Sequence, residues 1–265
     1  MFRIYLRELK ANSKSLLIYI GISLFFLVTG FTKFQGYAEN PELLEVLDNM
    51  PEAMLAAFSM NAFNLTTLSG FFGVMYVFMG VILSIAGVMW GSDIISKEER
   101  DKTVEFSLTL PVRRSTLITA KTSAAFTNCI FLNLATWGLV LANAARYDPD
   151  AEFLKFVSLG MVSLFILQCL FLAVGVFLGS VMKNHKSSGS VGISLLLGTY
   201  FISVIAGINE DFEFLKYFTP FKFFDPVKLL HDGKMEVIFI GLSFIIIVSC
   251  LVGAYYSYNK RDLYI

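Results

Sequence analysis

The chain has 265 residues, of which 56% are hydrophobic and 15% aromatic, and its mean hydropathy is +0.67. That apolar share is higher than a soluble globular domain carries, so the composition indicates an integral membrane protein. The 21 basic and 21 acidic residues give a net charge of zero, which does not favour nucleic acid as a partner. The three cysteines lie in apolar runs without metal-ligand spacing, so we expect neither a disulfide framework nor a metal site.

The first 14 residues carry an apolar stripe and a basic stripe side by side. One helical face has Phe2, Leu6, Leu9 and Ser13, and the next has Arg3, Arg7, Lys10 and Lys14. This pattern predicts an amphipathic helix over residues 1–14 that lies in the headgroup plane, with its cations toward anionic lipid. Membrane lipid is therefore an expected partner. The alternative is a solvated basic N-terminus.

Six apolar runs are long enough to cross a membrane. They lie at about residues 15–31, 69–92, 115–143, 153–182, 189–208 and 236–256. The acidic insert between the first two has prolines at two plausible helix starts, Pro41 and Pro51, which predict two short helices lying on the membrane. With no clear internal repeat, we expect one all-α, polytopic transmembrane domain over residues 1–265.

Alternate loops of a six-span chain lie on opposite sides of the membrane, so their charges can be compared. One side collects 14 of the 21 basic residues, namely Arg3, Arg7, Lys10, Lys14, Lys97, Arg100, Lys102, Arg113, Arg114, Lys121, Lys183, Lys186, Lys260 and Arg261. The side richer in Lys and Arg is cytoplasmic, which places both termini on the cytoplasmic side of the plasma membrane. Four lysines argue the other way: Lys216, Lys222, Lys228 and Lys234.

Glycines recur on two of the predicted spans. Gly73, Gly80, Gly87 and Gly91 lie on span two, and Gly175 and Gly179 lie on span four. Small residues let another helix approach closely where lipid provides no hydrophobic drive. Internal packing of the bundle is the favoured interpretation, and a seam between two subunits is the alternative.

A charged insert, residues 96–114, separates spans two and three. It must face water, since a charge at the membrane centre costs about 2.5–3.5 kcal/mol. The alternation from Val104 to Leu110 is typical of a strand, but a lone strand here would have no partner, so we interpret it as a short helix. Val104 and Leu108 then lie nearly opposite Phe106 and Leu110, so the helix would contact its own bundle and a second protein. An ordinary charged loop is the alternative.

The segment from Glu98 to Lys121 contains the core T-x-E-F-x-L-x-L-P-V-x-R and a lysine that opens the next span. It resembles the cytoplasmic coupling segment of ABC-2-type permeases, the membrane subunits of ATP-binding-cassette exporters. The resemblance extends across all 265 residues, through the basic N-terminus, the six spans, a Pro/Phe-rich segment and the N-K-R-D-L tail. One departure is Lys102, where many relatives have Gly, which puts the turn into the helix in doubt.

The resemblance implies a separate ABC ATPase subunit that binds ATP and Mg, with no cofactor held by this chain. It also implies a second permease subunit, expected to be an identical copy, and points to the peptide or phenol-soluble-modulin exporter branch. The residues expected to contact the ATPase are Glu98, Glu99, Arg100, Thr103, Val104, Phe106, Leu108, Leu110, Pro111, Arg113 and Arg114.

Two further groups are candidate site residues. Polar side chains inside the spans outline a candidate substrate path, made of Asn128, Asn133, Trp137 and Gln168. Hydrogen bonds between helices explain these four as well as substrate contacts do. Residues 209–235 carry a candidate outer gate, made of Phe218, Pro220, Phe221, Phe223 and Phe224. These are either an aromatic belt at the outer interface or, as the resemblance implies, part of short re-entrant helices that close the path.

Catalytic and nucleotide-binding motifs are missing from the sequence, which has no H-E-x-x-H pair, no G-x-S-x-G elbow and no G-x-x-x-x-G-K-[ST] loop. An enzyme is therefore disfavoured. We expect a permease subunit that exports an amphipathic substrate, with a membrane-active or antimicrobial peptide as the first candidate. The alternatives are a drug, lipid or ion exporter of the same family and a non-transporting scaffold or sensor subunit.

Overall fold

The computed structural model describes residues 2–38, 63–100, 113–182, 187–208 and 210–260. These residues form α1 (Phe2–Ala38), α2 (Leu68–Arg100), α3 (Arg114–Ala144), α4 (Ala151–Val181), α5 (Ser188–Ile205), α6 (Pro226–Asp232) and α7 (Val237–Lys260), and no strand occurs within them. All of these helices except α6 are long and apolar enough to cross a membrane. The prediction of an all-α, polytopic membrane protein is confirmed.

The centre of the bundle is the pair α2 and α4, which has the most extensive contact of any two helices described. The most apolar stretch of each is 72% buried, against 17% for α1 and α7. A methyl group at Gly91 would lie 2.3 Å from the Leu172 carbonyl oxygen, and one at Gly175 would lie 2.3 Å from that of Val88. Only glycine permits this backbone approach, so the prediction that these glycines pack inside the bundle is confirmed.

The N-terminal segment differs from its prediction. Helix α1 runs without a break from Phe2 to Ala38, so residues 2–14 do not form a helix separate from the first span. The buried face is Ile4, Glu8 and Asn12, whereas Phe2 and Leu6 are exposed. No Gly or Pro stands near residue 14 to end the helix, and the contact of the buried Glu8 with Lys97 holds the first turns in line with the span.

Two sets of contacts define the ends of the bundle. At one end Glu8 pairs with Lys97, and the Arg114 guanidinium donates to the Tyr258 carbonyl at 3.5 Å. At the other end the Tyr147 hydroxyl donates to the Phe31 carbonyl at 2.6 Å. The first turns of α1, the junction of α2 and α3 and the end of α7 therefore share one end, as the six-span topology requires.

The predicted spans agree with the helices to within a few residues, apart from the start of α1, the end of α1, which lies at Ala38 instead of about residue 31, and the end of α2. Helix α1 begins 13 residues before the predicted span, at Phe2 instead of residue 15. Helix α2 continues to Arg100, because the sequence K-E-E-R contains good helix formers. The predicted surface helices at Pro41 and Pro51 lie outside the described residues, as does the tail at 261–265.

Candidate functional site

The predicted coupling segment joins the end of α2 to the start of α3. Arg113 is in an extended conformation and directly precedes α3, and Arg114 begins that helix. The structure describes the backbone of residues 98–100 as the last turn of α2. Thr103, Val104, Phe106, Leu108, Leu110 and Pro111 lie outside the described residues, as do the side chains of Glu98, Glu99 and Arg100. Their contact with an ATPase remains a prediction.

A buried ion pair lies directly beside this junction. The carboxylate of Glu8 is 1% exposed and pairs with Lys97, the residue before the candidate ATPase-contacting residues. The Arg7 guanidinium lies 3.2 Å from the other carboxylate oxygen of Glu8. Sequence analysis missed this pair. The sequence did contain one indication of it: Glu8 is the single acidic residue among four cations, and it lies on the same helical face as Ile4 and Asn12.

A second charged group is buried further inside the bundle. Lys121 is 0% exposed, two turns into α3. The sequence pattern indicated only that Lys121 lies at the opening of the third span. Burial of an ammonium group requires compensation by surrounding polar or acidic groups, so the end of the bundle that carries the junction contains charge inside as well as on its surface.

The residues of the candidate substrate path lie in the contact between the central helices. Asn133 donates its side-chain N–H to the Met161 carbonyl at 3.1 Å, which is a hydrogen bond from α3 to α4. Asn128 is 1% and Gln168 0% exposed, and Trp137 is half-buried. The Asn128 Nδ2, Trp137 Nε1 and both Gln168 amide atoms have no hydrogen-bond partner in the described part of the chain. Asn133 thus joins α3 to α4, and a role of these four residues in a substrate path stays a prediction.

Ser84 on α2 belongs with these buried polar groups, although sequence analysis did not select it. It is fully buried, and its hydroxyl also has no partner in the described ranges. Gly87, one turn further along α2, is so close to α4 that a methyl group there would lie 2.6 Å from the Gln168 carbonyl oxygen. The polar groups of Ser84 and Gln168 therefore occur at about the same level of the α2–α4 contact.

The candidate outer gate is a chain of short helices. A 3-10 helix covers Glu210–Phe218, a second covers Pro220–Lys222, and α6 follows. Pro220, Phe223 and Phe224 are buried, Phe221 is half-buried and Phe218 is exposed. Phe218 has the exposure of an aromatic-belt residue, whereas the other four pack into the bundle. Their role as a gate stays a prediction.

Hydrogen bonds fix this segment to the spans. The Thr219 hydroxyl donates to the Thr199 carbonyl of α5 at 2.7 Å, and the Tyr76 hydroxyl of α2 lies 3.2 Å from the Phe224 carbonyl. Asp225 caps α6, since its side chain accepts from the Val227 backbone N–H at 2.9 Å. The outer segment, residues 210–232, therefore packs on α2 and α5 and covers one end of the bundle.

The cavities of the described bundle include the following three. One of about 150 Å³ lies under the outer segment, between α2, α4 and α5. One of about 250 Å³ is an apolar groove between α3, α4 and α7, with Phe126, Cys169 and Ile247 in its wall. The third, of about 460 Å³, lies beside Gln35 and Arg146 at the end of α1 and α3.

Comparison with known families identifies the chain. The model of the ABC-2 family transporter protein matches residues 3–263. No curated protein matches the chain. The family match covers nearly the whole sequence, and the six long apolar helices agree with it. Permeases of this family are transport membrane subunits that normally partner with an ABC ATPase. The chain belongs to the ABC-2 transporter family and is a multi-pass membrane permease component of an ABC exporter.

Proposed function

We propose that this permease exports an amphipathic substrate across the plasma membrane, driven by ATP that a separate ABC ATPase binds with Mg and hydrolyses. The observation that carries the proposal is the family match over residues 3–263, combined with the position of the predicted coupling segment. Residues 101–112 connect α2 and α3 at the end of the bundle where the buried Glu8–Lys97 pair lies. A segment in this position is suited to dock on a second protein.

The central helices support a mechanical role for that segment. Helix α2 continues from the junction through the bundle and packs backbone to backbone on α4 at Gly91 and Gly175. Because such a contact is too close to deform gradually, a displacement at the junction would move α2 and α4 together as a rigid unit. The movement caused by closure of the ATPase would thereby be transmitted to the half of the bundle that the outer segment covers.

A second, identical permease subunit and membrane lipid complete the proposed assembly. The helices α1, α5 and α7 have little buried surface in one subunit, with 17%, 22% and 17% of their most apolar stretches buried. Large apolar side chains on them, such as Phe25, Phe201 and Phe244, are more than half exposed. Acyl chains and a partner subunit are the surroundings in which these side chains are stable.

The cargo is proposed to be a membrane-active or antimicrobial peptide. The support is the apolar and aromatic character of the bundle, which has 27 Phe and 11 Tyr residues in the sequence. Export of a drug, a lipid or an ion by the same architecture is the second candidate. Cargo-stimulated ATP hydrolysis by the purified complex, measured with each substrate class in turn, distinguishes them.

The coupling role is tested by replacing Phe106 and Leu110 with alanine. The double substitution should reduce the binding free energy of the complex with the ATPase by about 2–4 kcal/mol, the usual effect of removing buried apolar interface residues. The subunit should still insert normally, because these residues lie outside the spans. The measurements are complex yield on co-purification and cargo-stimulated ATP hydrolysis.

Of the residues expected to contact the ATPase, we propose that Phe106 and Leu110 face it, and that Val104 and Leu108, on the opposite side of the predicted helix, face the bundle. The pair Val104→Ala and Leu108→Ala is therefore the matched control. These changes should lower subunit stability more than complex yield. Full complex yield and full stimulated hydrolysis in the Phe106→Ala, Leu110→Ala variant would show that the segment is an ordinary loop, as a scaffold or sensor subunit would have.

A further inference from the structure

The cavity under the outer segment has features of a binding site within one subunit. It lies in the half of the bundle away from the N-terminus and measures about 150 Å³. Its walls come from α2, α4 and α5, and its cover is the segment from Phe221 to Val227. The junction of α2 and α3 lies at the other end of the bundle.

Part of the wall is aromatic, since Tyr76, Tyr200 and Phe221 line the cavity, and contacts fix the positions of these rings. The Phe221 ring packs on Phe171 and edge-on against Tyr200, with centroid distances of 5.5 Å in both cases. The Tyr76 hydroxyl is held by the Ser163 hydroxyl at 2.7 Å and lies 3.2 Å from the Phe224 carbonyl. Rings held in this way offer faces and edges for another aromatic ring without losing side-chain freedom.

A polar group stands at one side of the cavity. The Lys222 ammonium lies 3.3 Å from Asp225, and Asp225 in turn accepts the Val227 backbone N–H. An ammonium group has three N–H donors, so a ligand can add an acceptor to this pair without breaking it. The cavity thus combines an aromatic chamber with a donor that can hold a hydroxyl, carbonyl or carboxylate oxygen.

The volume limits what enters. A cavity of this size in another protein, an engineered one lined by apolar side chains, accepts one benzene molecule. We propose that this cavity binds a single aromatic ring that carries a short arm ending in a hydrogen-bond acceptor. An aromatic side chain of an amphipathic cargo has this chemistry; that assignment rests on the proposed export function, whereas the binding itself does not.

Site-directed labelling tests the binding. Cys129, Cys169 and Cys250 are first replaced by alanine, and a single cysteine is then introduced by Ser203→Cys or Ile205→Cys. Ser203 lines the cavity and is 8% exposed, whereas Ile205, two residues on, is 45% exposed on the outside of α5. The purified subunit is treated with benzyl methanethiosulfonate, with and without benzyl alcohol as the ligand probe.

Benzyl alcohol at about four times its Kd should slow labelling in the Ser203→Cys variant about fivefold, since one-site binding then leaves a fifth of the cavities open. Labelling of the Ile205→Cys variant should change little, and any partition of the probe into detergent affects both variants equally. Equal slowing of the two variants would overturn the proposal. So would a Ser203→Cys variant that unfolds at the parent's temperature but is not labelled at all.

A filled cavity provides the second measurement. Val204 lines the cavity, so Val204→Phe should abolish the protection by benzyl alcohol, and Ile205→Phe is the size-matched control. In a complex with the ATPase, Val204→Phe should lower cargo-stimulated hydrolysis, whereas Ile205→Phe should not. If benzyl alcohol protects the cysteine but the subunit forms no complex with an ABC ATPase, the export function is refuted and the cavity is not. If the complex exports cargo but benzyl alcohol gives no protection, the cavity proposal alone is refuted.

Discussion

The pairing of Glu8 with Lys97 places a carboxylate inside the bundle. Glu8 is 1% exposed, and the Lys97 side chain is 17% exposed. A buried ion pair adds little net stability, because desolvation offsets the attraction between the charges, but removal of one partner leaves an uncompensated charge. The pair therefore fixes how the first turns of α1 sit against α2 more than it stabilises the fold.

Replacement of Lys97 by methionine should destabilise the subunit by about 3 kcal/mol, at the low end for a broken buried pair because Arg7 still contacts Glu8. The double variant Glu8→Met, Lys97→Met should recover most of that loss, since no buried charge is left unpaired. Thermal unfolding of the purified subunit measures both. A double variant as unstable as the single one would show that the ion pair is not the cause.

Gln168 presents the opposite case, a buried polar group for which the described residues supply no partner. An unsatisfied buried amide costs about 1–3 kcal/mol. Gln168→Met keeps the length of the side chain and removes the polar atoms, so it should stabilise the subunit by about that amount. Gln35→Met, at an exposed position of α1, should change little. A lower unfolding temperature for Gln168→Met would reveal a polar partner bound at this level.

Among the elements, α2 and α4 determine the architecture through their glycines. A residue larger than glycine at position 175 would meet a backbone carbonyl rather than a movable side chain, because the nearest atom is the Val88 oxygen. The same holds for Gly91 and the Leu172 oxygen. Neither contact can relax by a rotamer change, so the two helices would have to separate.

Gly175→Ala should therefore destabilise the subunit by about 1–3 kcal/mol, the usual cost of overpacking. Gly198→Ala on α5 is the control, because no atom lies within 4 Å of a methyl group there. Alanine is also the better helix former, by about 1 kcal/mol. Unfolding temperatures of the two variants should move in opposite directions, and equal effects would disprove the close-contact argument.

For the whole molecule, the first turns of α1 lie at the same end of the bundle as the junction of α2 and α3. This agrees with an even number of membrane crossings between these two points of the chain. The side on which that end lies is predicted from its cations. In a cysteine-free background, Glu45→Cys should react with an impermeant thiol reagent added to intact cells, whereas Lys102→Cys should react only after the cells are opened. Reaction of Lys102→Cys in intact cells would reverse the topology.

The sequence by itself determined the spans, the all-α class and the internal packing of the glycines. The reason is that a bilayer requires long apolar helices, and the hydropathy and spacing of nearby residues record this requirement directly. Tertiary structure decided that α1 continues unbroken from Phe2, because the burial of Glu8 depends on Lys97, which lies 89 positions away. It also decided that Phe223 stacks on Phe239 at 5.2 Å and that Tyr76 meets Phe224, contacts that seat the outer segment over a cavity. Pairings between distant residues follow from how the helices pack, and no local pattern in the chain encodes them.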